Sequence, residues 1–179
     1  MKGFLSFIWE IIKIVVVAAV IVLPIRYFLF QPFLVKGQSM EPNFGNSDYL
    51  IIDQLSYRLR EPQRGEVVVF KYPNIPSQRY IKRIVGLPGE TVEIKDGKVM
   101  ISGVPLDETT YLADSAYTDQ REFQIIILSE NEYFVLGDNR LASSDSRVWG
   151  SLPRENIIGR VFIRAWPFAA LAKIEAPQY

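Results

Sequence analysis

Residues Ile14 to Ile25 read IVVVAAVIVLPI, twelve in a row without a charge. No polar face interrupts Ile14 to Leu23. The β-branched richness suits lipid and is odd for a helix packed in a water-soluble body. Twelve residues fall short of a bilayer, which takes about 20. Extended back to Phe4, the run reaches spanning length, broken only by Glu10 and Lys13 toward one end, where long side chains reach headgroups. Pro24 and Arg26 then suit an exit. The expectation is one N-terminal transmembrane helix inside a membrane anchor of residues 1–35. A cleaved signal peptide fits less well, because the leading region is short, contains Glu10, and no small-x-small site follows at Gln31 to Gln38. A buried core helix is the third reading. Lys2 and Lys13 before the run balance Arg26 and Lys36 after it, so charge orients the segment only weakly.

After the anchor the pattern changes to short apolar runs closed by turn residues. Tyr49 to Ile52, Glu66 to Tyr72, Arg79 to Gly86, Thr91 to Ile94, Lys98 to Ile101, Phe123 to Leu128, Glu132 to Leu136 and Ile157 to Ala165 read as strands. Lys95-Asp96-Gly97 is a hairpin signature, and Leu55 to Leu59 has room for one helical turn. The expected fold is all-β: residues 36–179 as a β-rich domain built on a coiled antiparallel sheet or partly open barrel, preceded by the transmembrane helix. Trp166-Pro167-Phe168 suits either an interfacial contact or ordinary terminal packing.

Composition narrows the chemistry. The chain has no histidine and no cysteine, which excludes Ser-His-Asp and Cys-His catalysis, disulfides and zinc-thiolate sites. Lys plus Arg and Asp plus Glu both number 20, so no basic footprint for nucleic acid exists. The neutral total divides into three basic groups and one acid over residues 1–35, for +2, and 17 against 19 beyond, for −2.

An enzyme built from these residues needs a carboxylate, lysine, tyrosine or terminal amine as base. Serine with lysine is the leading pair, since burial removes a lysine's proton near neutral pH. Lys82 lies in Arg79-Tyr80-Ile81-Lys82-Arg83-Ile84-Val85, where alternation puts Tyr80, Lys82 and Ile84 on one face and Arg83 on the other. A lysine snorkelling at a strand edge fits the same pattern. Ser39 lies in Lys36-Gly37-Gln38-Ser39-Met40-Glu41-Pro42; Gly37 permits a close backbone approach and Pro42 restrains the exit. It is also compatible with a turn serine. Met40 and Phe44 are expected on an apolar surface near the membrane exit. A third cluster, Gly137-Asp138-Asn139-Arg140, Ser143-Ser144-Asp145-Ser146-Arg147 and Trp149-Gly150, suits a hydrogen-bonded loop bracing a site, or a surface turn with ion pairs.

Four ordered blocks now stand out. They are Gly37 to Pro42; Asp48 to Asp53 with Leu55-Ser56-Tyr57; Arg64 to Phe70 continuing through Tyr80 to Glu90; and Gly137 to Gly150. Together, over nearly the whole chain, they resemble type I signal peptidases, the Ser/Lys endopeptidases of peptidase family S26. The resemblance implies Ser39 as nucleophile and Lys82 as general base. It implies that Ser143 hydrogen-bonds and orients the lysine amine, that Asp145 and Arg147 brace the site as an ion pair, and that Asp138, Asn139 and Arg140 are structural. It places the Ser39 N–H in the oxyanion hole. Gly37 stands where some relatives carry a second, hydroxyl donor. Asn43 stands where threonine is usual. The expected activity is membrane-bound removal of signal peptides from secreted preproteins after small-x-small sites, with no cofactor and no metal. The expected partners are those preproteins and a phospholipid bilayer. The expected placement is single-pass in the cell membrane, N-terminus cytoplasmic and catalytic domain on the outer face. A self-cleaving repressor of the same clan and a catalytically dead scaffold are the alternatives. The membrane segment and the missing DNA-binding helix pair oppose the first; Ser39, Lys82 and Ser143 together oppose the second.

Overall fold

The computed structural model of the chain describes residues 2–24, 30–113, 116–120, 125–177 and 179. Helix α1 (Lys2–Pro24) leads to strands β1 (Phe30–Leu34) and β2 (Tyr49–Asp53), then helix α2 (Ser56–Leu59). Strands β3 (Val67–Tyr72), β4 (Ile75–Gly86), β5 (Thr91–Lys95), β6 (Lys98–Ile101), β7 (Val104–Pro105), β8 (Ile125–Ile127) and β9 (Glu132–Leu136) follow. Helix α3 (Ser146–Trp149) precedes β10 (Leu152–Pro153), β11 (Ile157–Trp166) and β12 (Ala172–Lys173).

Two antiparallel sheets result. The larger runs β1-β2-β11-β3-β4-β9-β10, with β12 also on β11; the smaller runs β7-β6-β5-β8. Alternation along β3 explains why the large sheet is covered on both faces. Val67 and Val69 join Met40, Phe44, Leu50, Ile52, Ile81 and Val161 on one side. Val68 and Phe70 join Tyr57, Ile84, Tyr133 and Val135 on the other. A third cluster, with Val85, Phe134 and Leu136 against Val92, Val99 and Leu128, welds the small sheet to the large one. The β5–β6 hairpin closes on Asp96 and Gly97, both at positive φ (51° and 76°), the geometry of a tight two-residue turn.

Several expectations are corrected. The fold is not all-β: three helices accompany two sheets, and the sheets are open, with no closed path among the described strands. Among the described residues no helix is long and apolar enough to cross a membrane. The physical reason lies in α1 itself. Glu10 and Lys13 pair at 2.9 Å across one turn and interrupt the helix, so its longest charge-free stretch is Ile14 to Pro24. At about 1.5 Å per residue that stretch is roughly 16 Å, half of a hydrocarbon core. The transmembrane helix is therefore withdrawn. With it go the membrane-bound form of the activity, the phospholipid bilayer as partner and the single-pass, outer-face placement. Arg26 of the expected exit and Ile25 of the apolar run lie outside the described residues, as do Phe123 and Gln124 of one expected strand.

Met40 and Phe44 do not form an exposed surface; both are buried in the core beside Leu50 and Ile81. Phe30 to Leu34, expected within the anchor, is an edge strand in full register with β2. Its Pro32, which has no N–H to give, is tolerated at such an edge.

Candidate active site

β4 carries Lys82 in the large sheet opposite Val68 of β3, just before the part of β4 that also pairs with β9. Its amine is buried, and Nζ stands 2.8 Å from Ser39 Oγ and 2.8 Å from the Ile81 carbonyl oxygen. Tyr80, on the same face as the alternation requires, has its ring centroid 5.5 Å from Nζ. Burial pushes the Lys82 amine down to about 8, and the charges of Asp145 and Asp138 oppose that shift without cancelling it. The site thus holds a serine hydroxyl in hydrogen-bond contact with a lysine whose neutral form is accessible near physiological pH.

Ser39 is reached by a loop between β1 and β2. Gly37 takes φ +89°, a conformation that favours glycine, and its N–H donates to Asn46 Oδ1 at 2.9 Å. Met40 and Phe44 pin the loop from below by burial. From the other side the loop after β9 clamps it. Asn139 N–H donates to the Ser39 carbonyl at 3.0 Å, and Asn139 Nδ2 donates to the Gln38 carbonyl at 3.1 Å. Gly137 sits between the two loops; a Cβ there would collide with the Ser143 hydroxyl and the Ser39 carbonyl oxygen. Glycine is required by that close approach.

Two buried ion pairs hold the clamp. Arg83 grips Asp138 with Nε to Oδ1 at 2.8 Å and Nη2 to Oδ2 at 2.7 Å. Arg147 grips Asp145 with Nε to Oδ1 and Nη2 to Oδ2, both at 2.8 Å. Asp145 Oδ2 also accepts from Gly137 N–H at 3.1 Å, and Asp145 accepts from Arg147 N–H at the start of α3. Burial alone would raise the Asp145 carboxyl; the Arg147 hydrogen bonds and charge, with the Gly137 N–H, outweigh it and hold the group below the usual range. Arg140 reaches the Gly137 carbonyl at 3.1 Å and pairs with Glu108. Ser143 is buried beside Asp145 and helps keep it ionised, yet its hydroxyl makes no hydrogen bond of ordinary geometry. The lysine amine uses Ser39 and the Ile81 carbonyl instead.

All nine residues singled out from the sequence therefore converge on one place. Asn43, noted above only for replacing the usual threonine, and two residues that sequence reading missed, Tyr111 and Glu108, support it. Asn43 Nδ2 bridges Asp138 Oδ2 and the Tyr111 carbonyl, both at 2.8 Å, and the Tyr111 ring lies 4.1 Å from the Arg83 guanidinium. Glu108 fixes Arg140. Tyr111 and Glu108 lie in a stretch without motif or periodicity, so nothing local marked them. Among the described residues no cluster of acids suited to a metal ion occurs.

A cleft of about 410 Å³ opens beside Ser39 and Lys82, with Phe33, Leu34 and Ile81 as apolar wall. It follows a free edge: β9 pairs with β4 only from Arg83 to Gly86, leaving the preceding residues of β4 partnered on the β3 side alone.

Comparison with known proteins agrees with this geometry. The family described as signal peptidase, peptidase S26, matches residues 8–166. A probable signal peptidase I-2 of Synechocystis sp. is 41% identical over 163 residues, covering 88% of this chain and 73% of that protein. A signal peptidase I of Leptolyngbya laminosa is 36% identical, covering 94% of this chain and 84% of that one. A signal peptidase I S of Bacillus subtilis is 34% identical over 93% of both chains. A family match over residues 8–166, with relatives of 34–41% identity over most of the chain, leaves one assignment: this chain belongs to the signal peptidase I family of peptidase S26, and is a serine endopeptidase of that class.

Proposed function

We propose that Ser39 is the nucleophile and Lys82 the general base of a signal-peptidase-like endopeptidase acting on preproteins. The observation that carries this reading is the 2.8 Å contact between a buried lysine amine and the Ser39 hydroxyl. While protonated, the amine donates to Oγ. Once neutral, it accepts the Oγ proton as Oγ attacks the scissile carbonyl. The lysine, now protonated, donates to the leaving amine. Water then opens the acyl-enzyme, with Lys82 again as base. The Ser39 N–H, which finds no acceptor among the described residues, supports the developing oxyanion. Asn139, Asp138 and Arg83 hold the Ser39 carbonyl and thereby aim that N–H. Asp145, with Arg147 and Arg140, holds the loop that carries Ser143, whose buried hydroxyl beside Asp145 would turn to orient the lysine amine.

The substrate lies extended along the free edge of β4, adding a strand whose main chain pairs with the protein's. The apolar wall of the cleft, formed by Phe33, Leu34 and Ile81, favours small side chains next to the reacting carbonyl. The test is cleavage of a preprotein by purified protein. Ser39→Ala and Lys82→Met are each expected to lower kcat/KM by about 10³-fold or more, as loss of nucleophile or base does in comparable sites. Cleavage by Lys82→Met at the wild-type rate would refute the pairing.

A further inference from the structure

The cleft that holds Ser39 and Lys82 is bordered by two cations, Lys36 after β1 and Arg79 on β4. Both side chains are exposed, and neither is within ion-pair distance of a carboxylate among the described residues. No described residue lining the cleft is acidic. Arg79 also stands directly opposite Lys71 of β3 in the antiparallel register. Like charges at such a pair share one face, with Cβ atoms about 5 Å apart, and destabilise the sheet. Most basic groups of the chain body avoid this situation: Arg60, Arg64, Arg83, Arg140, Arg147 and Arg154 each meet an acid. Among the described residues, the mouth of the catalytic cleft is thus one of two places where unpaired cations stand opposite each other across a strand pair, the other being Lys95 and Lys98 of the β5–β6 hairpin, and the only one of the two beside Ser39 and Lys82.

Resting on the Ser39/Lys82 reading, we propose that Arg79 and Lys36 select substrates with an acidic residue three or four positions from the cut, and disfavour a basic one there. The spacing follows from the strand. Arg79 lies three residues before Lys82, about 10 Å at roughly 3.3 Å per residue. A peptide added along β4 with its reacting carbonyl at Ser39 brings a side chain at that distance beside Arg79. Lys36 lines the same cleft. The carboxylate relieves the Lys71–Arg79 repulsion that the free protein carries, so binding gains at both ends. The effect is electrostatic and half solvated, so it is modest and salt-sensitive.

The test uses the full chain and a set of fluorogenic peptides with alanine at the first and third positions before the cut. Asp, Asn or Lys is placed in turn at each other position within five residues of the cut, on either side. The expected result is kcat/KM about three- to tenfold higher for Asp than for Asn at a position three or four residues away, and lower still for Lys. That ratio falls to near one in Arg79→Gln, is kept in Arg79→Lys, and shrinks at high salt. Equal rates for Asp and Asn at every position overturn the proposal. So does a preference that survives in the double variant Lys36→Gln, Arg79→Gln. Cleavage of the all-neutral peptide separates the two ideas. If wild type cleaves it and shows no charge preference, only the selectivity fails; if wild type cleaves none of the set, the catalytic reading fails with it.

Discussion

Lys82 is a residue that the fold tolerates at a cost. Its amine titrates in the folded chain at about 8, against 10.5 for the free group. Below pH 8 the folded protein must hold a buried ammonium that the unfolded chain would expose to water. Between about 8 and 10.5 the unfolded state binds more protons at this position than the folded one, so stability rises with pH through that window. Replacing Lys82 by methionine, which keeps the length and removes the charge, is expected to stabilise the fold at pH 7. The size is about 3 kcal/mol by the linkage relation, and the gain should disappear by about pH 10.5. Chemical denaturation of both proteins at the two pH values measures it; a variant less stable than wild type at pH 7 contradicts the account. Sequence made this residue legible only through its motif. Alternation correctly put Tyr80 on its face and Arg83 on the other. It gave no hint that Arg83 would fasten Asp138, because that contact joins positions 55 apart in the chain.

At the scale of elements, the site is an agreement between two loops, one after β1 and one after β9. Gly137 is where they touch. Substituting alanine there forces the Ser39 carbonyl or the Ser143 side chain to move, because both lie within collision range of a Cβ. A displacement of the nucleophile by about 1 Å is enough to cost on the order of 10²-fold in rate. Gly137→Ala is therefore expected to lose about that much kcat/KM while its circular dichroism stays that of wild type; full activity would show that the loops are not in contact. Most strands were legible from their apolar runs. Several elements were not, among them the two-residue strands β7, β10 and β12, which are too short to show alternation, and two others with their own reasons. Phe30 to Leu34 merged with the hydrophobic segment before it, and composition could not separate an edge strand from the end of a helix. α3 is a four-residue helix started by Asp145, too short to show any period.

For the whole molecule, function follows from a covered sheet that desolvates one lysine and from ion pairs that keep the desolvated region ordered. Arg83–Asp138 and Asp145–Arg147 are nearly free of solvent contact. Such pairs add little net stability over apolar packing, yet removing one partner is expensive. They supply geometry, which an apolar core could not give to Ser39 and Lys82. This explains why the four motif blocks were readable and the architecture was not. The blocks are the residues that meet at the site. The open sheets depend on strand order, which no local pattern encodes. The most direct test of the central claim, that Lys82 is the base for Ser39, is the pH dependence of kcat/KM for preprotein cleavage. The base must be neutral to act, so activity should rise with pH along an acidic limb with an apparent pKa near 8, the value to which burial brings the amine. A profile that stays flat down to about pH 5 would contradict it.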